Sequence, residues 1–418
     1  MTGTEVLSAT ITDRNGPWVS EQLAQIGVEV AHIQVVGDRR EDMEAALRFL
    51  RDQDVRLVVT SGGLGPTADD LTAEVVGRFA GREMVLDEAM EKKIAEIVER
   101  FAARMKFDPG PLKDANRKQA MVPEGSVAID PAGTAPGLVV PAGEQVVIVL
   151  PGPPRELHAL WGPALDTQPV RDLLGDSGVF AFFSMRLFGI PESELADSLR
   201  KIESEHDLSP LEITTCLRRG ELHIDVRSRP SEEADEAAEA LRAGIREHHG
   251  RFLFSESGES IEEVVAELLG DRHIAVAESC TGGLLAVRLT DRPGSSKHFV
   301  GGVVAYANEA KTDLLGVPAE LIKEHGAVSP EVAEAMADGA LERFGSDVSC
   351  STTGIAGPDG GSEGKPIGTV CLCAKTSDGR ELSRDLVLPG DRADIRDRTS
   401  TVAMHLLRYL LRDEEPPR

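Results

Sequence analysis

A glycine-rich loop, placed directly after a short apolar run and directly before a helical pattern, occurs in both halves of this chain. In the first half, Thr60-Ser61-Gly62-Gly63-Leu64-Gly65-Pro66-Thr67-Ala68-Asp69-Asp70 follows the run at 55–60 and leads into a helix at Thr72–Phe79. In the second, Glu278-Ser279-Cys280-Thr281-Gly282-Gly283 follows the run at 273–277 and leads into a helix at Leu284–Thr290. Strand, tight loop and helix in that order build an α/β sheet covered by helices. In such sheets ligands bind at the loops beyond the strand ends. The loops are therefore the first places to look for chemistry.

The rest of the chain supports this reading. Residues 28–36 (VEVAHIQVV) and 146–150 (VVIVL) read as strands, the second fully buried. Helix-forming residues fill 41–51, and Val19, Leu23 and Ile26 fall on one helical face. A strand is expected at the very start of such a domain, yet the chain opens directly on Thr2-Gly3-Thr4-Glu5. The middle has a different texture. Strands at 212–215 and 222–229 flank a turn at Arg218-Arg219-Gly220-Glu221, followed by a charged, Ala-rich helix at 231–247 and a strand at 251–255. It lacks a GXXG loop and a basic face, so it reads as a spacer and not an RNA binder. The last third restarts with Ser260 and Glu263, a capping box. Strands at 273–277, 300–306, 346–351 and 369–373 then alternate with helices, one of them starting at Ser329-Pro330. The expected architecture is α/β: two α/β domains with mostly parallel sheets, at 1–165 and 256–418, joined by a small α+β domain at 166–255. The acidic, Pro-containing tail at 413–418 is expected to be disordered.

Charge and composition narrow the function. Asp and Glu number 71 against 45 Lys and Arg over 418 residues, a net charge of −26. That argues against non-specific nucleic-acid binding, which needs basic residues to displace counterions. No apolar run approaches the roughly 20 residues of a membrane span, and no secretory leader is expected at Met1. The 5 cysteines form no CxxC pair, so neither a disulfide framework nor a zinc finger is expected. A cytoplasmic protein acting on small molecules fits best.

Each loop allows a chemical reading beside a plain structural one. Around Ser279 the glycines free backbone N–H groups at a helix N-terminus, the layout for a nucleophile beside an oxyanion hole or a phosphate. Ser279, Cys280 and Thr281 all carry candidate nucleophilic or polar groups, and residue chemistry alone does not choose between Ser279 and Cys280. No histidine lies close in sequence. Lys311, within Tyr306-Ala307-Asn308-Glu309-Ala310-Lys311, is the candidate base; as a solvated helix lysine it would do nothing. Thr352-Thr353-Gly354-Ile355-Ala356-Gly357-Pro358-Asp359-Gly360-Gly361 suits a phosphate or ribose wall, or a flexible surface loop. In the first half, Asp69 and Asp70 beside the 62–65 glycines are candidate Mg²⁺ ligands near a phosphate. The loops Gly133-Thr134-Ala135-Pro136-Gly137 and Leu150-Pro151-Gly152-Pro153-Pro154-Arg155-Glu156 are weak signals singly and gain weight from their position at strand ends.

Taken together, these motifs resemble the CinA family of competence/damage-inducible proteins. AESCTGG, GGVVAYANEAKTDLLGV, GAVSPEVAEAMADGA and TGIAGPDGG are similar to its C-terminal nicotinamide-nucleotide amidohydrolase module. TSGGLGPTADDLT, GTAPG and LPGPPRE are similar to its N-terminal domain, of the molybdopterin-binding MoaB/MogA type. The middle unit occupies the place of the family's KH-like linker. The resemblance implies hydrolysis of the carboxamide of nicotinamide mononucleotide to nicotinate mononucleotide and ammonia, with no cofactor. It implies Ser279 as nucleophile, N–H groups of Thr281, Gly282 and Gly283 at the oxyanion, and Lys311 or Tyr306 as proton carrier. Cys280, Asn308, Thr353, Gly354, Ala356, Gly357 and Pro358 would contact substrate. For the N-terminal domain it implies a metal-dependent ADP-ribose pyrophosphatase in some members. There Gly62, Gly63, Thr134 and Pro153 would bind substrate, and Asp69, Asp70 and Glu5 would hold a divalent, Mg-like metal. The missing first strand and Ser8, where a glycine is common, are departures. The competing expectation is a non-catalytic nucleotide- or molybdopterin-binding protein regulating competence or the DNA-damage response. The expected partners are small nucleotides and a second copy of the chain in a homodimer, with no nucleic acid and no membrane.

Overall fold

The computed structural model describes residues 1–106, 113–175 and 180–417. The chain forms two compact units, Met1–Phe180 and Ala181–Arg418. No described helix is long and apolar enough to cross a membrane.

The first unit is built on strands β1 (Leu57–Ser61), β4 (Val127–Ile129), β5 (Gly137–Ala142) and β6 (Gln145–Leu150), in the order β1-β6-β5-β4. A separate two-stranded ladder pairs β2 (Met84–Leu86) with β3 (Met121–Pro123). β1 and β6 are parallel, and the β6–β5 and β5–β4 pairs are antiparallel, so the sheet is mixed. Every residue of β6 is buried, because alternate side chains meet helices on opposite faces. Ile148 and Leu150 pack with Val19 and Leu23 of the helix Asn15–Gln25 and with Leu157 and Trp161 of Pro154–Leu165. Val147 and Val149 pack with Met43 and Leu47 of Arg40–Asp52 and with Val75 and Val76 of Thr72–Phe79.

The strand expected at 28–36 does not form. Its only ladder contact is the parallel bridge Thr2↔Val36. The Thr2 N–H donates to the Ser61 carbonyl at 2.9 Å and the Gly3 N–H to the Val36 carbonyl at 3.0 Å. Met1–Gly3 therefore stands between Val36 and the end of β1, and the earlier residues of 28–36 have no strand beside them. An extended segment keeps strand hydrogen bonds only where a neighbour supplies them. Between this segment and β1 lies a cavity of about 440 Å³, lined by Val30, Leu47, Leu57 and Val59 among others.

The second unit contains two sheets. β7 (Ala181–Phe188), β8 (Leu211–Arg218), β9 (Glu221–Ser228) and β10 (Leu253–Ser255) form an antiparallel sheet in the order β10-β7-β9-β8. The helices Glu192–Glu205 and Glu232–His249 supply Leu195, Ile202, Leu241 and Ile245 to its core. The other sheet runs β12-β11-β13-β14-β15, with β11 (Ile274–Glu278), β12 (Phe299–Val304), β13 (Val348–Gly354), β14 (Thr369–Thr376) and β15 (Glu381–Val387). β12, β11 and β13 are mutually parallel; β14 pairs antiparallel with β13, and β15 antiparallel with β14. Just past the boundary expected at 166, the helix Gln168–Leu174 buries Val170 in the core of the first unit. The α+β segment and the C-terminal sheet share one compact unit. Where they meet, the ring of His405 stacks on Phe188 at 3.7 Å, and its Nε2 lies 2.8 Å from Glu221 Oε1.

Candidate active site

Three neighbouring parallel strands end on the same edge of the C-terminal sheet. That topology brings together loops distant in sequence. β11 delivers Ser279, β12 delivers Tyr306 and Asn308, and β13 delivers the 354–361 loop. The helix Asn308–Leu315 begins immediately after β12, and Lys311 lies in its first turn, facing back toward β11. Lys311 is 1% exposed and Ser279 7%. Lys311 Nζ lies 3.1 Å from Ser279 Oγ and donates to the carbonyls of Ala305 and Tyr306 at 3.0 and 3.3 Å. Burial lowers the Lys311 pKa, since an ammonium is costly in a low dielectric, and the nearby Cys280 thiol only partly opposes this. A neutral amine has two N–H bonds and one lone pair. As an ammonium, Nζ donates to Ser279 Oγ and to both carbonyls; once deprotonated it would keep two N–H bonds for the carbonyls and turn its lone pair to Ser279 Oγ. A hydroxyl beside a buried amine is an arrangement that can serve as nucleophile and base.

The Cys280 thiol is 3% exposed and packs in the apolar core of this half. Burial pushes its pKa up to about 12. A protonated, core-facing thiol is poorly placed to attack or to contact a substrate, which favours Ser279 over Cys280 as the candidate nucleophile. Gly354 is glycine for the same packing reason: a Cβ there would stand 3.0 Å from Cys280 Sγ and 2.7 Å from Val370.

The nucleophile turn needs Gly282 and Gly283, whose φ angles are +61° and +99°. Of the three N–H groups expected at an oxyanion, those of Gly282 and Gly283 are already used, and that of Thr281, among the described residues, is not. The Gly282 N–H donates to the Ser279 carbonyl at 3.1 Å. Glu278, with no exposed surface, accepts from the N–H groups of Gly283 (2.9 Å), Leu285 (3.1 Å) and Ala286 (2.7 Å). The carboxylate thus occupies the positive end of the helix Leu284–Thr290. Thr281 is buried and its hydroxyl pairs with that of Thr352 at 2.7 Å.

Two further expectations change. The exposed Tyr306 hydroxyl accepts from Arg392 Nη2 at 2.7 Å; what Tyr306 offers Lys311 is its main-chain carbonyl. A proton relay through its hydroxyl has no support in this geometry. Thr353 is 1% exposed and donates to the Ala327 carbonyl at 2.7 Å, a structural role. Asn308 is exposed at the start of its helix, and Ala356, Gly357 and Pro358 do line a cavity, of about 590 Å³. Two residues that sequence reading passed over complete its wall, Arg392 and Arg396, one turn apart on the last helix, Arg392–Arg412. Arg392 Nη1 donates to the Gly357 carbonyl at 2.8 Å. Arg396 donates to the carbonyls of Cys280 (Nε, 3.1 Å) and Thr281 (Nη2, 2.8 Å).

In the first unit, the expected residues also come together. A cavity of about 730 Å³ is lined by Glu5, Gly62, Gly63, Asp69, Asp70, Thr134 and Pro153. Asn15 ties its loops, donating from Nδ2 to Ser61 Oγ at 2.8 Å and to the Gly152 carbonyl at 2.7 Å. The carboxylates do not form a metal site. The Thr67 hydroxyl lies 2.5 Å from Asp69 and 2.6 Å from Asp70, its single proton shared between them, and the Thr67 N–H donates to Asp70 at 2.8 Å. The first of these holds the Asp69 carboxyl below its usual range. Among the described residues no three His, Cys, Asp or Glu side chains are grouped to hold a metal. The expected set Asp69, Asp70 and Glu5 therefore does not fit a divalent ion, because its two aspartates close a local turn.

Residues 258–411 match the family described as the CinA C-terminal domain, and residues 1–166 match a probable molybdopterin binding domain. A CinA-like protein of Mycobacterium marinum is 55% identical over 416 residues, covering 98% of this chain and 97% of the relative. The chain belongs to the CinA-like protein family. A CinA-like protein of Mycobacterium tuberculosis is 54% identical over 420 residues, covering 98% of this chain and 96% of its own. Among solved structures, the competence/damage-inducible protein CihA from Agrobacterium tumefaciens is 40% identical, covering 37% of this chain and 98% of its own, with a TM-score of 0.35. A CinA superfamily protein from Klebsiella pneumoniae is 32% identical, covering 37% and 99%, with a TM-score of 0.35. The Ser279–Lys311 pair lies within the CinA C-terminal match, and the 730 Å³ cavity within the molybdopterin-binding match.

Proposed function

We propose that the C-terminal half of this CinA-family chain hydrolyses a nucleotide carboxamide, nicotinamide mononucleotide, to nicotinate mononucleotide and ammonia. The observation that carries this reading is the buried Lys311 Nζ at 3.1 Å from Ser279 Oγ. Neutral Lys311 takes the Ser279 proton as Oγ bonds to the amide carbon. The carbonyl oxygen becomes an oxyanion, which the turn's remaining N–H groups stabilise. The Lys311 ammonium returns its proton to the departing nitrogen, the C–N bond breaks and ammonia leaves. Water then attacks the resulting Ser279 ester: Lys311 takes the water proton and passes it to Ser279 Oγ as the Oγ–C bond breaks, restoring the serine and giving the carboxylate. Arg392 and the 590 Å³ cavity suit the substrate phosphate, since guanidinium binds phosphate well. No metal enters any step.

Ammonia release from nicotinamide mononucleotide, measured in EDTA beside a Ser279→Ala variant, tests this. Release by the wild type alone supports it. Equal release by both removes Ser279 from the mechanism, and none from either removes the reading.

For the first unit we propose ligand binding without pyrophosphate hydrolysis, in a cytoplasmic homodimer. The observation favouring it is a cavity that gathers Gly62, Gly63, Thr134 and Pro153 while its aspartates turn onto Thr67. Calorimetric binding of ADP-ribose unaffected by Mg²⁺, with no turnover, is the expected result; Mg²⁺-dependent cleavage overturns it.

A further inference from the structure

Catalysis by a serine needs more than a base. The developing oxyanion must meet N–H groups that already point at it. In the turn after β11 most N–H groups are committed. Ser279 N–H donates to the Thr352 carbonyl, Gly282 N–H to Ser279, and those of Gly283, Leu285 and Ala286 to Glu278. Among the described residues, the N–H groups of Cys280 and Thr281 have beside them only the Cys280 sulfur, a weak acceptor. They are the donors left for an oxyanion on Ser279.

What fixes their direction lies on the opposite side of the turn. In a trans peptide the N–H and the C=O point opposite ways. The Cys280 carbonyl and the Thr281 N–H belong to one peptide plane. Arg396 holds that carbonyl through Nε and the next one, of Thr281, through Nη2. A planar guanidinium holding two consecutive carbonyls sets the orientation of both planes. The second plane bears this out: its N–H, that of Gly282, points away from Arg396 to the Ser279 carbonyl. Glu278 anchors the turn downstream while Arg396 anchors it upstream.

We propose that Arg396 is a positioning residue of the amide hydrolase, holding the Thr281 N–H toward the oxyanion without itself touching the reacting atoms. This rests on the hydrolase reading above. Without the clamp the peptide plane can rotate, and the oxyanion loses a fixed donor.

The test compares wild type with Arg396→Ala and Arg396→Lys in the full chain. Two readouts are used: ammonia release from nicotinamide mononucleotide, and the rate at which a fluorophosphonate labels Ser279. The second depends on the oxyanion donors whatever the natural substrate is. Arg396→Ala is expected to lower kcat and the labelling rate together by about 100-fold, the effect of one lost oxyanion donor, with KM little changed. Arg396→Lys, which has a single nitrogen for two carbonyls, is expected to fall between. Added guanidinium is expected to restore part of the rate to the folded alanine variant, which a merely structural loss would not allow. A rise in KM with kcat kept makes Arg396 a substrate ligand and overturns the proposal. Labelling at the wild-type rate in both variants also overturns it, while leaving the hydrolase reading standing. Absence of both labelling and ammonia release in the wild type removes the hydrolase reading, and this inference with it.

Discussion

Replacing Cys280 by Ala separates the two nucleophiles that sequence chemistry alone leaves open. With its thiol at about 12, Cys280 at pH 8 lies four units below its pKa, so roughly 1 thiol in 10,000 is ionised. An unperturbed thiol, at about 8.5, would be roughly one quarter ionised at that pH. Iodoacetamide reacts with the thiolate, so Cys280 should react about 2,000-fold more slowly than a free cysteine, before burial is counted. Cys350, Cys371 and Cys373 are likewise buried with raised pKa values, whereas Cys216 is partly exposed. Mass spectrometry after a short exposure should therefore find the label on Cys216, with ammonia release intact. Cys280→Ala removes one core sulfur and should cost about 1–2 kcal/mol of stability, typical of a small core deletion. Its kcat should stay within about threefold of wild type. Ser279→Ala should lose at least about 1,000-fold, as when a catalytic nucleophile is deleted. Inactivation by iodoacetamide with the label on Cys280, or a folded but inactive Cys280→Ala variant, would refute the assignment of Ser279 and the burial argument beneath it.

Two pH effects follow from buried groups. Lys311 must be neutral to act as base, so kcat/KM should rise with pH through a midpoint below the ordinary lysine value of 10.5; Lys311→Arg, which cannot deprotonate, should lose both the limb and about 10²–10⁴-fold of activity. At the junction of the two sheets of the second unit, burial lowers His405 to about 4. Burial also pushes Glu221 up, but its hydrogen bond with His405 and the nearby His223 ring, 3.7 Å away, outweigh it and hold the carboxyl at about 2. Between pH 6.5 and 4 the unfolded chain then binds a His405 proton that the folded chain refuses, and below 4.5 the same holds for Glu221. Stability of the second unit should fall as pH falls from 6.5, measured by urea unfolding. His405→Gln should flatten the 6.5–4 portion; an unchanged slope would count against the pair.

Where local chemistry decides the structure, the sequence was readable. The capping box of Ser260 and Glu263 forms with both of its hydrogen bonds, and the helices Thr72–Phe79 and Leu284–Thr290 run over the expected residues. The failures are cases where a distant partner decides. Residues 28–36 have strand-like residues and lack a neighbour along most of their length. β15 (ELSRDLV) was overlooked because it is a charged edge strand with no apolar run, held by β14. Ser279 and Lys311 stood out through their loops, and parallel pairing joined them. The fate of each N–H group in the Ser279 turn was hidden, since it depends on a glutamate inside the motif turning back on its own helix. Arg396 lies 115 residues from Thr281, whose carbonyl it holds, and no local pattern announces such a contact.

That separation has a temporal side. The chain is synthesised from its N-terminus, so Ser279 and Lys311 leave the ribosome well before the helix Arg392–Arg412. This helix fits among Val265, Leu285 and Leu372 through Ile395, Met404 and Leu407, and brings Arg396 with it. Under the hydrolase reading proposed above, Ser279 and Lys311 would be present before Arg396 can hold the Cys280 and Thr281 carbonyls. A chain lacking 392–412 would also lack the core side chains Ile395, Met404 and Leu407, so the helix that brings Arg396 to the Ser279 turn is the same one that closes this core.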